Sequence, residues 1–179
     1  VIDVRYSANE IVSHADSRMQ SEVVSGPKEV LARLDWRTQV VGMDEAYVDL
    51  TDSPAPKTRA RQIKRDVLAE TGLTCSIGIG PNRLIAKIAS DLDKPDGLCV
   101  LARDRFLEVV GDKPARIIPG VGPKTEERLD ALEIKTVSDL ARVPENSLSA
   151  VVGPNHARSL GRRACGFGSS EVAVERERK

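Results

Sequence analysis

Aromatic side chains are scarce in this chain of 179 residues: two Phe, two Tyr and one Trp, or 3% of the sequence. So few rings argue against a protein that grips nucleic acid mainly by stacking bases on aromatic faces. Cysteine is nearly as rare. Cys75, Cys99 and Cys165 stand far apart with no C-x-x-C spacing, which offers no zinc knuckle and fits a reducing compartment. Cys75 and Cys99 lie in apolar runs, where a free thiol behaves as a small buried hydrophobe. The two histidines, His14 and His156, are isolated, and no ligand chemistry stands at helical spacing beside either. Charge of one sign is not in excess, since 27 Lys and Arg balance 27 Asp and Glu. That balance counts against a wholly basic nucleic-acid binder, and with 40% hydrophobic residues it excludes a disordered tail. No run approaches the roughly 18 apolar residues of a membrane helix, and the N-terminus has no signal-peptide layout. No internal repeat or low-complexity tract is present.

What is there falls into two halves. From residue 1 to about 101, helical and strand patterns alternate. Glu10 to Leu34 reads as a helix broken at Gly26-Pro27. Thr38–Gly42 and Ala46–Leu50 read as short strands around a turn holding Met43, Asp44 and Glu45. Lys57–Glu70 is an amphipathic helix stopped by Gly72, Leu73–Ile79 a β-type run, Asn82–Leu92 a helix and Leu98–Leu101 a strand. From about Asp104 the pattern is all-helical, with helices expected at Arg105–Val110, Lys124–Leu132, Val137–Val143 and His156–Ala164, separated each time by Pro or Gly. The polar stretch from Ser169 to Lys179 shows no partner face and reads as a linker.

Three segments carry chemistry. The first is the acidic pair Asp44-Glu45. Adjacent like charges repel, and tight turns ordinarily hold Gly, Asn or Pro. A divalent cation removes that penalty, because hard oxygen ligands on a rigid hairpin suit Mg²⁺ when substrate phosphates complete its shell. A solvated acidic turn is the plain alternative. The second is Ile118-Pro-Gly-Val-Gly-Pro-Lys-Thr125, followed by a helix. Gly120 and Gly122 permit a sharp turn that aims amides at an anion, and Lys124 and Thr125 add a cation and a hydroxyl. This is the layout of a helix-hairpin-helix, which holds a DNA backbone phosphate without reading sequence. An ordinary glycine-capped helical turn is its plain alternative. The third runs from Ser76 to Gly97. Gly78 and Gly80 form neither a G-x-G-x-x-G nor a Walker loop. What remains is a strand, a helix bearing Lys87, and Lys94 at the helix exit, where a lysine is ordinarily solvated.

In order, GMDEAYVDLT, CSIGIGPNRLIAKIASDLDKPDG and IIPGVGPKTEERLDALEIKTVSDLA closely resemble the palm and thumb of the Y-family translesion DNA polymerases, in particular their DNA polymerase IV branch. The resemblance extends over nearly the whole chain. It implies an α+β fold: a ferredoxin-like palm, an antiparallel sheet with helices on one face, over 1–102, a helical thumb with a helix-hairpin-helix over 103–168, and a linker toward a little finger over 169–179. It implies that Asp44 and Glu45, with an earlier aspartate, bind two Mg²⁺ ions, and that Lys94 contacts the incoming triphosphate. Gly120, Val121, Gly122, Lys124 and Thr125 match the thumb stretch that holds a DNA phosphate. Implied partners are primer-template DNA, deoxynucleoside triphosphates and, through an absent C-terminal part, a sliding clamp. The implied protein is a monomer of the bacterial cytoplasm, associated with the nucleoid and not with a membrane.

The departures from the family pattern are equally specific. An aspartate on the first palm strand followed by two aromatics is missing. Asp3, in Val1–Tyr6, lacks the aromatic pair, and no fingers intervene before Asp44. Gly42 stands where serine is common. The chain therefore reads as an internal piece of a longer polymerase and, by itself, as inactive. Two other functions compete: a non-catalytic helix-hairpin-helix DNA-binding module, and a palm-type nucleotide cyclase. The cyclase would show a Gly-Gly-acidic-acidic-Phe turn and have no reason to carry the hairpin.

Overall fold

The computed structural model describes residues 1–6, 29–31, 33, 36–41 and 44–173. They form two compact units, one of residues 1–101 with the segment from Ser170, the other of 102–169. The first is built on strands β1 (Ile2–Tyr6), β2 (Thr38–Val40), β3 (Glu45–Val48), β4 (Cys75–Ile79) and β5 (Leu98–Val100), with helices α1 (Pro56–Thr71) and α2 (Arg83–Leu92). The sheet order is β2-β3-β1-β4-β5.

Ile2 faces Val48 on one side and Ile79 on the other, and Val4 faces Ala46 and Ile77. Residues paired in this way share a face of the sheet. On that face they join Ala60, Ile63 and Val67 of α1, and Val30 and Leu31 of a helical turn, in one apolar cluster. Each fully buried aliphatic side chain contributes about 1.5–3 kcal/mol. Pro56 opens α1 and Gly72 closes it in the left-handed conformation at φ 71°.

The opposite face carries Asp3, Tyr47 and Gly78, aligned across β1, β3 and β4. Helix α2 lies over it. Its Asn82 cap accepts the Ile85 amide at 2.9 Å. A Cβ on Gly78 would sit 2.0 Å from the Ala86 carbonyl oxygen and 2.3 Å from the Ser90 nitrogen, so only glycine admits the helix at this separation.

The α+β architecture stands, but the sheet differs in two respects from the one implied by the resemblance. It is mixed, because β5 runs parallel to β4. Helix α2 is a crossover that returns the chain to the start of β4, which makes a parallel neighbour the short route. Helices also cover both faces. All five residues of β4 are buried, as expected of a strand packed on both sides. Isoleucines face α1, and Gly78 leaves room for α2.

Cys75 belongs to the apolar cluster, and burial pushes its thiol up to about 11. The expected helix from Glu10 to Leu34 lies outside the described residues apart from 29–31 and 33, and Gly42, His14 and 174–179 lie outside them too. Val172 is buried, and the Ala173 amide donates to Gln39 Oε1 at 3.2 Å. Within the stretch expected to lack a partner face, Val172 and Ala173 thus find one, and this short apolar step, unremarkable in a polar tail, is what packs.

The second unit comprises α3 (Phe106–Val110), a 3₁₀ turn at Ala115–Ile117, α4 (Pro123–Asp130), α5 (Val137–Arg142), α6 (Glu145–Val152) and α7 (Pro154–Ala164). Helix α6 was not expected. Pro144 reads as a break, yet it stands as the N-cap, where a missing N–H does no harm. Thr136 and Asp139 close a reciprocal capping box on α5. No helix among the described residues is long and apolar enough to cross a membrane.

The approach of α2 to the sheet leaves no room for a methyl group at residue 78. Gly78→Ala lowers stability by about 1–3 kcal/mol, measured as a lower midpoint in urea; an unchanged midpoint would show that α2 shifts freely on the sheet.

Candidate active site and nucleic-acid interface

Strands β2 and β3 form a hairpin, and the Val41 amide closes it on the Glu45 carbonyl at 3.0 Å. Asp44 sits at its tip, exposed, and Glu45 opens β3, mostly buried. Alternation along β3 puts Glu45 and Tyr47 on the face covered by α2. There the Glu45 carboxylate is held at both oxygens: the Tyr47 hydroxyl donates to Oε1 at 2.5 Å and Lys87 Nζ donates to Oε2 at 2.6 Å. The Arg83 guanidinium lies over the Tyr47 ring, 4.4 Å from its centroid. Burial, followed by the bond to Glu45, pushes the Tyr47 phenol far up, so it stays protonated and donating.

Asp3 stands between Tyr47 and Gly78 in the sheet and is fully buried, with Ser90 Oγ donating to its Oδ2 at 2.5 Å. It shares the face of Glu45 but lies one pair further along, since Glu45 itself faces Arg5. Among the described residues, no three His, Cys, Asp or Glu side chains are placed to hold a metal together. Asp44 and Glu45 are consecutive carboxylates, the first exposed and the second held on the sheet face; they are the hard-oxygen donors that would suit a Mg²⁺ whose shell is completed by water and substrate phosphates.

Lys94 lies at the same end of the sheet. Glu45, Arg5 and Ser76 form one row across β3, β1 and β4. The loop after α2 returns to that end: the Gly97 carbonyl accepts the Ile77 amide at 3.0 Å, and Lys64 Nζ joins the carbonyls of Cys75 and Asp96 at 2.5 and 2.8 Å. The Lys94 ammonium, about half exposed, pairs with Asp91 at 2.6 Å. A cavity of about 560 Å³ opens at the other end of the hairpin, near Trp36 and Asp49, and holds none of the predicted site residues. Its Asp49 carboxyl is held below the usual range by the Thr51 hydroxyl and amide.

In the helical unit the second motif forms a tight hairpin. Gly120 adopts φ 103°, and Gly122 caps α4 with no side chain across its amides. Gly120, Gly122 and Lys124 are exposed and Thr125 is half-buried. Val121 differs: its side chain is in the core and its amide bonds the Ile118 carbonyl at 3.0 Å, so it anchors the loop. Helix α7 holds the loop from behind. Arg163 Nη1 donates to the Pro119 carbonyl at 2.6 Å, and His156 Nε2 meets the Gly120 carbonyl at 3.2 Å. A Cβ on Gly120 would come within 2.7 Å of that guanidinium nitrogen.

The sequence profile of the impB/mucB/samB family matches residues 11–91, and that of the DNA polymerase-iota thumb domain matches 116–166. A DNA polymerase IV of Shewanella sp. strain ANA-3 is 39% identical over 168 residues, 90% of this chain and 46% of its own length. One from Methanoculleus marisnigri is 43% identical over 132 residues, 72% of this chain and 37% of its own. In three dimensions, a DinB family error-prone DNA polymerase from Sulfolobus solfataricus superposes with a TM-score of 0.77 at 26% identity, covering 89% of this chain and 49% of that one. The chain belongs to the Y-family DNA polymerases. It spans about half the length of the curated relatives it matches.

In Y-family terms, the thumb profile falls within the helical unit, and the acidic turn lies within the impB/mucB/samB match. The structure brings Asp44, Glu45 and Lys94 to one end of one sheet, and Gly120, Gly122, Lys124 and Thr125 to one turn around the buried Val121. Tyr47, Lys87, Arg83, Ser90 and Arg163 are the additions that sequence reading did not single out as site residues. The signal was present in part: Tyr47 follows Glu45 by two on a strand, and Arg83, Lys87 and Ser90 recur at helical spacing. Several basic residues are engaged within the protein. Lys64 and Arg163 bind carbonyls, Arg158 pairs with Glu145 at 3.3 Å, and Arg162 and Arg103 lie over the Phe167 ring.

Arg163→Ala raises hydrogen exchange of the amides between residues 118 and 125 about tenfold, the loss of one charge-assisted bond. Mass spectrometry of that peptide reads it, and unaltered protection would remove Arg163 from this role.

Proposed function

We propose that the chain is the palm and thumb portion, over 1–102 and 103–168, of an error-prone, DNA-directed DNA polymerase that extends a primer past lesions. The segment 169–179 leads toward a little finger. The observation that supports this reading most is Glu45. A carboxylate at the start of β3, adjacent to a second one at the hairpin tip, is immobilised at both oxygens, an arrangement that a solvated turn has no reason to maintain.

Asp44 and Glu45 would hold Mg²⁺, with an earlier aspartate on the first palm strand completing a two-ion site. When bound, such ions lower the pKa of the primer 3′-hydroxyl and neutralise the leaving pyrophosphate. Tyr47 keeps the Glu45 carboxylate in one orientation, and Lys94, at the same end of the sheet, would meet the incoming triphosphate. In the thumb, the exposed amides of the hairpin, with Lys124 and Thr125, would grip a backbone phosphate and leave the bases unread. Partners are then primer-template DNA and deoxynucleoside triphosphates. The solved complexes titled a Dbh ternary complex and an insertion ternary complex of Dbh DNA polymerase support this. In the whole protein, a monomer working on the nucleoid in the cytoplasm, a sliding clamp would be engaged by residues outside 1–179. A cyclase has no use for the hairpin, and a purely DNA-holding module has no use for an immobilised acidic turn.

Two experiments test this. In the full-length polymerase, Asp44→Ala or Glu45→Ala lowers primer extension with Mg²⁺ by about a thousandfold or more with circular dichroism unchanged; retained turnover would sink the assignment. The 179-residue chain alone extends no primer but binds duplex DNA, with a logarithmic salt slope of roughly −1 to −3. Gly120→Val combined with Gly122→Val abolishes that binding, and undiminished affinity would move the DNA contact elsewhere.

A further inference from the structure

The pairing of Lys87 with Glu45 bridges 42 residues of sequence, and both partners are partly buried: their side chains are 29% and 14% exposed. Lys87 is delivered by α2, whose position is dictated by Gly78 below it and Asn82 at its start. Glu45 could have been held by the Tyr47 hydroxyl alone, which already takes Oε1. The second oxygen instead carries an ammonium, at the point where two adjacent carboxylates need positive charge.

We propose that Lys87 is the resident counter-ion of the acidic turn, a positioning residue that keeps Glu45 aimed while no metal is bound and yields Oε2 to a divalent cation. This rests on the reading of Asp44 and Glu45 as metal ligands. An ammonium and a metal ion compete for the same lone pairs, and like charges at one carboxylate repel. Lys87 therefore weakens cation binding at the turn while ordering the ligand. A lysine that served only to pack α2 would leave cation affinity unmoved.

Terbium(III), an oxygen-seeking ion excited by a neighbouring tyrosine, is the probe. Tyr47 touches Glu45, so an ion on that carboxylate lies within sensitisation range. Titrating the 179-residue chain at low salt, with manganese(II) as competitor, should show luminescence that Glu45→Gln or Asp44→Asn removes. Lys87→Met then binds terbium about two- to fivefold tighter, the factor expected of one partly buried ion pair, and Lys87→Arg stays at the wild-type value. Lys87→Gln, which keeps a donor toward Glu45, carries the same expectation as Lys87→Met and serves if the latter unfolds α2. Equal or weaker affinity in the neutral variants overturns the role of Lys87 and leaves the metal reading intact. Wild-type luminescence indifferent to Glu45→Gln and Asp44→Asn overturns the metal reading, and this inference with it.

Discussion

The close seating of α2 on the sheet is the contact on which the rest of the candidate active site depends. Gly78 has no side chain, so the helix backbone settles directly on β4. Residues four and seven positions after Arg83 then come down where the strands below need them: Lys87 against Glu45, and Ser90 against Asp3. A bulkier residue at one position of β4 would lift the helix and separate both pairs. Packing and electrostatics are here one constraint, because the depth of the helix sets the length of the ion pair.

The thumb hairpin follows a similar logic with backbone groups as the functional part. Carbonyls of the turn that no amide of its own reaches need partners from elsewhere in the fold. Arg163 and His156, adjacent in space though seven residues apart on α7, provide those donors. Val121 pins the turn from inside. The exposed residues of the motif can thus be small and polar, because residues outside the motif supply its rigidity.

Charge shows how composition and structure answer different questions. The chain has no net charge, and several of its basic residues are engaged internally, by carbonyls, a carboxylate or aromatic faces. Cation availability is set residue by residue, and at the acidic turn the Lys87 ammonium is engaged by the Glu45 carboxylate. The scarcity of rings also looks different in this light. Tyr47, Trp36 and Phe167 each carry an arginine over the ring, so the few aromatics here brace cations.

Much was legible in the sequence because it is local. The acidic pair at a turn, the Gly-Val-Gly hairpin before a helix, the alternation of strands with helices and then helices alone all depend on neighbours within about ten residues, the range over which periodicity and turn chemistry act. Those features determined the α+β class, the family and the candidate ligands Asp44 and Glu45. Only the tertiary structure decided that α1 and α2 take opposite faces, that β5 runs parallel to β4, that Val121 points inward, and that Lys87 and Arg163 complete the two sites. Each of these joins segments far apart in the chain. What brings them together is the exclusion volume of one glycine and the demand of buried polar groups for partners, and neither leaves a periodic trace in the sequence.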